Sequence, residues 1–80
     1  MTIAEVIAKR TRDLLIEKDM TQYRLEKTMG IPHRTLLNIT TAKHNSANMK
    51  TVFQICRGLG VTMAEFFSDP IFEHSELDID

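Results

Sequence analysis

The side chains able to do chemistry are few and widely set. His33, His44 and His74 are far apart, with no His-x3-His pair and no matching Glu, so no metal site is expected. Cys56 is the only cysteine, which rules out an internal disulfide. Its neighbours Met49, Val52, Phe53 and Leu59 follow helical apolar spacing, so it reads as a buried structural thiol. No nucleophile–base set is present. Gly30, Gly58 and Gly60 fall at expected helix ends and form no phosphate-binding loop. Neither catalysis nor a cofactor is therefore expected. What remains is a group of hydrogen-bonding side chains, His33, Arg34 and Asn38, with Lys43 beyond them. A face that merely meets water would carry the same types, so the surrounding elements must decide between the two readings.

Eighty residues bound the chain to one small domain, with no room for the wide cleft of a multi-domain enzyme. A domain of this size buries roughly 60–65% of its unfolded surface, so it stands to gain from a partner subunit. The first helix mixes Glu5, Lys9, Arg10 and Arg12 among its apolar residues, and no run of about 18 apolar residues exists. A soluble, cytoplasmic protein is the expectation. The net charge of −1 hides an uneven distribution. All ten Lys and Arg lie within residues 1–64, against five acids there, a balance of +5. The other six acids lie within residues 65–80, which hold no Lys or Arg. A moderately basic body thus ends in an acidic tail, and binding to phosphate needs a local patch rather than a basic total.

Periodicity and capping predict five helices and no strand. Ile3, Ile7, Leu14 and Leu15 mark a first helix over 3–18, with Thr2 and Glu5 in a capping-box pattern. Lys9, Arg10 and Arg12 lie largely off its apolar stripe. Thr21 caps a second helix through about Thr28, and Gly30 suits the left-handed residue that ends it. A third runs from Pro32 to about Ile39, with Leu36 and Ile39 inward. Residues 40–48 lack an apolar period and read as a loop. Asn48 caps a fourth helix over 49–58, its apolar face made of Met49, Val52, Phe53, Cys56 and Leu59; Met29, Met49 and Met63 are all expected in the core. Thr62 caps a short fifth through Phe67, and Asp69-Pro70 breaks it. The division expected is a body over 1–69 and a tail over 70–80.

Two short helices joined by a glycine-containing turn, the second opening with polar side chains, form the helix-turn-helix pattern. Its tight corner lets the second helix enter a DNA major groove while the first meets the phosphate backbone. The residues also carry a likeness. Thr21-Gln22-x-x-Leu25-x-x-x-Met29-Gly30-Ile31, then Leu36 and Ile39, then Leu59-Gly60-Val61-Thr62-x-x-Glu65-Phe66-Phe67, resemble the lambda-repressor/Cro-like family over about residues 3–68. The resemblance implies an all-α, five-helix DNA-binding domain. It places a phosphate contact at Gln22, with Tyr23 beside it suited to phosphate contact or to packing. It places base-reading positions at Pro32, His33, Arg34, Leu37 and Asn38, and a backbone-contacting loop at Thr41, Lys43, His44 and Asn45. The side-chain types suit those roles. Arg34 can donate twice to guanine, Asn38 can pair with adenine, His33 can donate or accept, and Leu37 can meet a thymine methyl. Lys43 offers a salt-sensitive phosphate contact.

The chain departs from that family at three places. Glu26 stands where a small Ala is usual, so its side chain must bend outward or the helix crossing must loosen. Thr40-Thr41-Ala42 replaces Glu-x-Gly, and Leu15 replaces the Arg that pairs with that Glu. Losing both partners of a buried ion pair together strands no charge. Ala47 replaces a Pro. In the tail, Ile71, Phe72, Leu77 and Ile79 are too apolar for a purely solvating segment. They can fold back on the body or meet a second copy, and Phe66, Phe67, Ile71 and Phe72 are the expected dimer contacts. The resulting expectation is a homodimeric repressor on an inverted-repeat operator in double-stranded DNA. The alternative is an antitoxin that binds its operator and, through the tail, a toxin partner.

Overall fold

The computed structural model describes residues 1–43, 47–73 and 77–78. Five α-helices follow one another: α1 (Ile3–Glu17), α2 (Gln22–Met29), α3 (His33–Thr40), α4 (Met49–Leu59) and α5 (Met63–Phe67). A 3-10 turn, η1, covers Pro70–Phe72. The all-α, five-helix architecture implied by the family resemblance is the one observed.

Local chemistry accounts for where the helices start and stop. Thr2 and Glu5 form a reciprocal capping box at α1, and Thr62 and Glu65 form a second at α5. The Thr21 hydroxyl accepts from the Arg24 N–H, and Asn48 Oδ1 accepts from the N–H groups of Lys50 and Thr51. Gly30 and Gly60 end α2 and α4 in the left-handed region, at φ +66° and +74°. Ala42 also sits there, at φ +53°, in the place of the glycine in Glu-x-Gly. An L side chain costs energy in that conformation.

The core is built by Ile7, Leu14, Leu15, Leu25, Ile31, Leu36, Ile39, Val52, Ile55, Cys56, Leu59 and Phe66. Around it α1 packs on α3 and α4, α2 on α3 and α4, and α5 on α4. Leu15 is buried at the position of the missing Arg, and Thr40 is buried at that of the missing Glu. The carbonyl of Thr40 accepts from Arg12 Nη1, and its hydroxyl donates to Gln22 Oε1 at 3.2 Å and Leu37 O at 3.3 Å. The position therefore stays hydrogen-bonded without a buried ion pair.

Four expectations about burial need correction. Ile3 is exposed, because α1 turns Ala4, Val6, Ile7 and Ala8 inward instead. Met49 and Phe53 are exposed, because α4 buries Thr51, Val52, Ile55, Cys56 and Leu59; Ile55 takes the place given to Phe53. Phe53 instead lies under the Arg57 guanidinium, 5.8 Å from its ring centre. Arg10 turns inward, its side chain only 14% exposed. Its Nε and Nη2 donate to the carbonyls of Phe66 and Glu65, each at 2.8 Å, and Nη1 reaches Asp69 Oδ2 at 3.3 Å. The guanidinium thus supplies the Phe66 carbonyl, near the end of α5, with a donor, and it joins the Ser68 N–H and hydroxyl at the Glu65 carbonyl.

Packing continues past residue 69. The rings of Phe66, Phe67 and Phe72 meet at centroid distances of 4.9–6.0 Å. Farther on, Asp78 pairs with Thr2 in an isolated parallel bridge, its N–H donating to the Met1 carbonyl at 2.8 Å. The described part of the tail folds back on α1 and α5. Burial pushes the Cys56 thiol above its ordinary range, which keeps it protonated and inert.

Candidate nucleic-acid interface

The corner between α2 and α3 rests on a few buried residues. Leu25 and Leu36 are fully enclosed, one from each helix, and Ile31 anchors the turn between them. The Ile31 N–H donates to the Glu26 carbonyl at 3.0 Å, closing the end of α2 through the left-handed Gly30. Pro32 then precedes α3 with a backbone already suited to a helix start.

This frame brings most of the expected contact residues onto one helix and its flanks. Pro32, His33 and Arg34 are exposed at the start of α3, and Leu37 and Asn38 are half-buried one turn on. His33 and Leu37, like Arg34 and Asn38, are separated by four residues and so share a helix face. Thr41 and Lys43 are exposed just beyond α3. His44 and Asn45 lie outside the described residues. Gln22 is half-buried at the start of α2. Its Oε1 accepts from the Thr40 hydroxyl, and its amide N–H groups have no partner among the described residues. Tyr23 is exposed, with the Lys27 ammonium 5.3 Å from its ring centre.

Two residues differ from their sequence-based roles in detail. Asn38 Oδ1 is buried, with no hydrogen-bond partner among the described residues. A bidentate pair with adenine uses both ends of the amide, so this side chain must rotate outward to form one. Glu26 does not bend out into solvent. It is 7% exposed and reaches across to α3, with Oε2 2.8 Å from His33 Nδ1. The signal for this pair was present in the chain, an acid at the crossing position followed seven residues later by a His. It becomes readable only once the turn brings the two helices together.

The expected dimer contacts also separate by depth. Phe66 is fully enclosed and supports the surface from beneath, while Phe67, Ile71 and Phe72 are half-buried. The charges divide likewise. Arg24, Lys27, Arg34 and Lys43 are exposed on or next to α2 and α3, whereas Glu65, Asp69, Glu73 and Asp78 belong to α5 and the segment after it. Among the described residues no group of three or more His, Cys, Asp or Glu could hold a metal ion. No helix there is long and apolar enough to cross a membrane.

A polar recognition helix held by a glycine turn, beside a Gln at the start of the preceding helix, is geometry suited to a DNA groove. Comparison with known proteins agrees. No curated protein and no solved structure matches the chain. The family model of the Cro/C1-type HTH DNA-binding domain matches residues 11–70, most of the chain, and the protein belongs to that family of DNA-binding regulators.

Proposed function

We propose that the protein is a sequence-specific repressor that acts by occupying an operator in double-stranded DNA. The observation that carries this reading is the exposure of His33 and Arg34 at the start of α3, on a corner pinned by Leu25, Ile31 and Leu36. In this reading the first half of α3 enters the major groove. Arg34 donates to a guanine edge, Asn38 rotates out to an adenine, Leu37 meets a thymine methyl, and Pro32 sits against the groove wall. Gln22 donates its amide N–H to a phosphate, with Tyr23, Thr41, Lys43, His44 and Asn45 along the same backbone. Control follows from where the protein sits rather than from a reaction it performs.

Two copies related by a twofold axis would place their recognition helices about 34 Å apart, one turn of DNA, and so read an inverted repeat. Phe67, Ile71 and Phe72 are the proposed contact surface, with Phe66 beneath them. The second reading, an antitoxin that binds its operator and holds a toxin through the tail, would use the same apolar end of the molecule.

Selection of random duplex DNA by the purified protein, with affinities read at two salt concentrations, tests the proposal. The expected result is an enriched inverted repeat whose binding weakens steeply with salt. Sedimentation under the same conditions is expected to give a dimer on the DNA. Absence of any enriched sequence, with no binding at low salt, would reject the proposal.

A further inference from the structure

A carboxylate removed from water is costly unless it is bonded. The buried Glu26 meets this need through one described partner, Nδ1 of His33 at 2.8 Å. An ionised carboxylate can only accept, so the hydrogen of that bond belongs to Nδ1. A neutral imidazole carries a single N–H. With that hydrogen on Nδ1, Nε2 is left as a bare acceptor. The His33 side chain is 70% exposed on the first residue of α3, so the ring stays open to what the helix meets.

We infer that Glu26 is a positioning residue that fixes the Nδ1–H tautomer of His33, making His33 a reader of bases that offer an amino donor in the major groove. Those donors are N6 of adenine and N4 of cytosine; guanine offers only acceptors on that edge and is disfavoured at the same position. The large acid at a helix crossing thus has a recognition role, turning a two-way side chain into a one-way one. This inference rests on α3 entering the groove.

The test uses the full chain and begins without DNA. Long-range proton–nitrogen NMR of the His33 ring, at about pH 8 where an ordinary imidazole is neutral, is expected to show hydrogen on Nδ1 and a bare Nε2. In Glu26→Gln the side-chain amide can donate to Nδ1, and the hydrogen is expected on Nε2. Binding is then measured on the selected duplex and its single-base-pair variants. The wild type is expected to favour adenine or cytosine over guanine roughly tenfold at one position. Glu26→Gln is expected to reverse that preference, and His33→Ala to flatten it while leaving other positions as they were. The surface change His33→Ala decides the question should Glu26→Gln not fold. A wild-type ring with hydrogen on Nε2 or on both nitrogens overturns the inference. So does a preference for guanine at the position His33→Ala flattens, or no response to either variant. A wild type that binds no duplex at low salt removes the groove reading and the reader role together. The ring measurement in free protein still separates that failure from a mistaken account of Glu26.

Discussion

The two ends of the molecule each join helices by a bond from a charged side chain, and they use it differently. At the α2–α3 corner, Glu26 is buried but its partner His33 is mostly exposed. At the α5–η1 end, Arg10 is enclosed, and it spans two backbone carbonyls, the Asp69 carboxylate and the face of Phe66, 5.9 Å away. The apolar support differs too. The corner relies on three aliphatic side chains, while the other end gathers three aromatic rings. The corner keeps its polar groups outward and is aligned by a short bond, whereas the far end is closed by aromatic packing around an enclosed guanidinium.

Replacing Phe66 with Ala is the strongest way to break that division. It removes a fully enclosed ring on which Phe67 and Phe72 rest, and the expected loss is about 3–5 kcal/mol in urea denaturation. Small domains have roughly 5–15 kcal/mol in all, so this change removes a large share of the total. Arg10→Met comes next, at about 2–3 kcal/mol, because it leaves the Phe66 carbonyl without its donor and Asp69 without its cation, while the Glu65 carbonyl keeps its Ser68 donors. The base preference of the folded protein, measured cold, should be unchanged, because the side chains proposed to read bases lie at the other end. A changed preference would show that the two ends are not separate.

Changes at the corner should have the opposite signature. Arg34→Ala is expected to cost roughly 1–3 kcal/mol of binding and to relax the preference at one base position, with the urea midpoint unmoved. Lys43→Ala should weaken binding to all duplexes alike and lower the salt slope by about one. A shifted urea midpoint in either variant would place these residues in the framework instead.

The smallest effect sharpens the picture of the α5 end. The Thr62 N–H donates to Glu65, which holds the Glu65 carboxyl below its ordinary range. A carboxylate lowered on folding stabilises the protein above the unfolded-state value, and that contribution is lost as pH falls through the folded one. Glu65→Gln should therefore be less stable than wild type at neutral pH, with the gap narrowing on acidification. Urea midpoints between about pH 7 and pH 3 would show it, and a gap that widens in acid would contradict the assignment.

Much of the fold was legible in the chain because its signals are short-range. Thr2, Thr21, Asn48 and Thr62 cap helices from within a turn of the groups they bond, and Gly30 relieves a local backbone constraint. The polar types at His33, Arg34 and Asn38, and their place after a helix-turn-helix corner, could be read the same way. The faces of the helices were less legible. By its place in the sequence Arg10 is expected off the apolar stripe of the first helix, yet it lies three residues after Ile7 and four before Leu14, and the structure turns it inward. Met49 and Phe53 are expected in the core from their spacing with Val52, Cys56 and Leu59, and α4 turns them outward in favour of Ile55.

By itself, then, the amino-acid order determined the helices, their ends, the corner between α2 and α3 and the chemical types offered on the recognition helix. These depend on contacts within a few residues, where spacing alone sets geometry. Only the tertiary structure decided that Glu26 takes hold of His33, that Thr40 orients Gln22, that Asn38 Oδ1 is turned inward and that Arg10 closes the end of α5. Each of these joins groups from different elements, or depends on how such elements pack. Whether a side chain at such a crossing meets water, a carbonyl or another side chain depends on helix rotations of a few tens of degrees, which the whole core sets together.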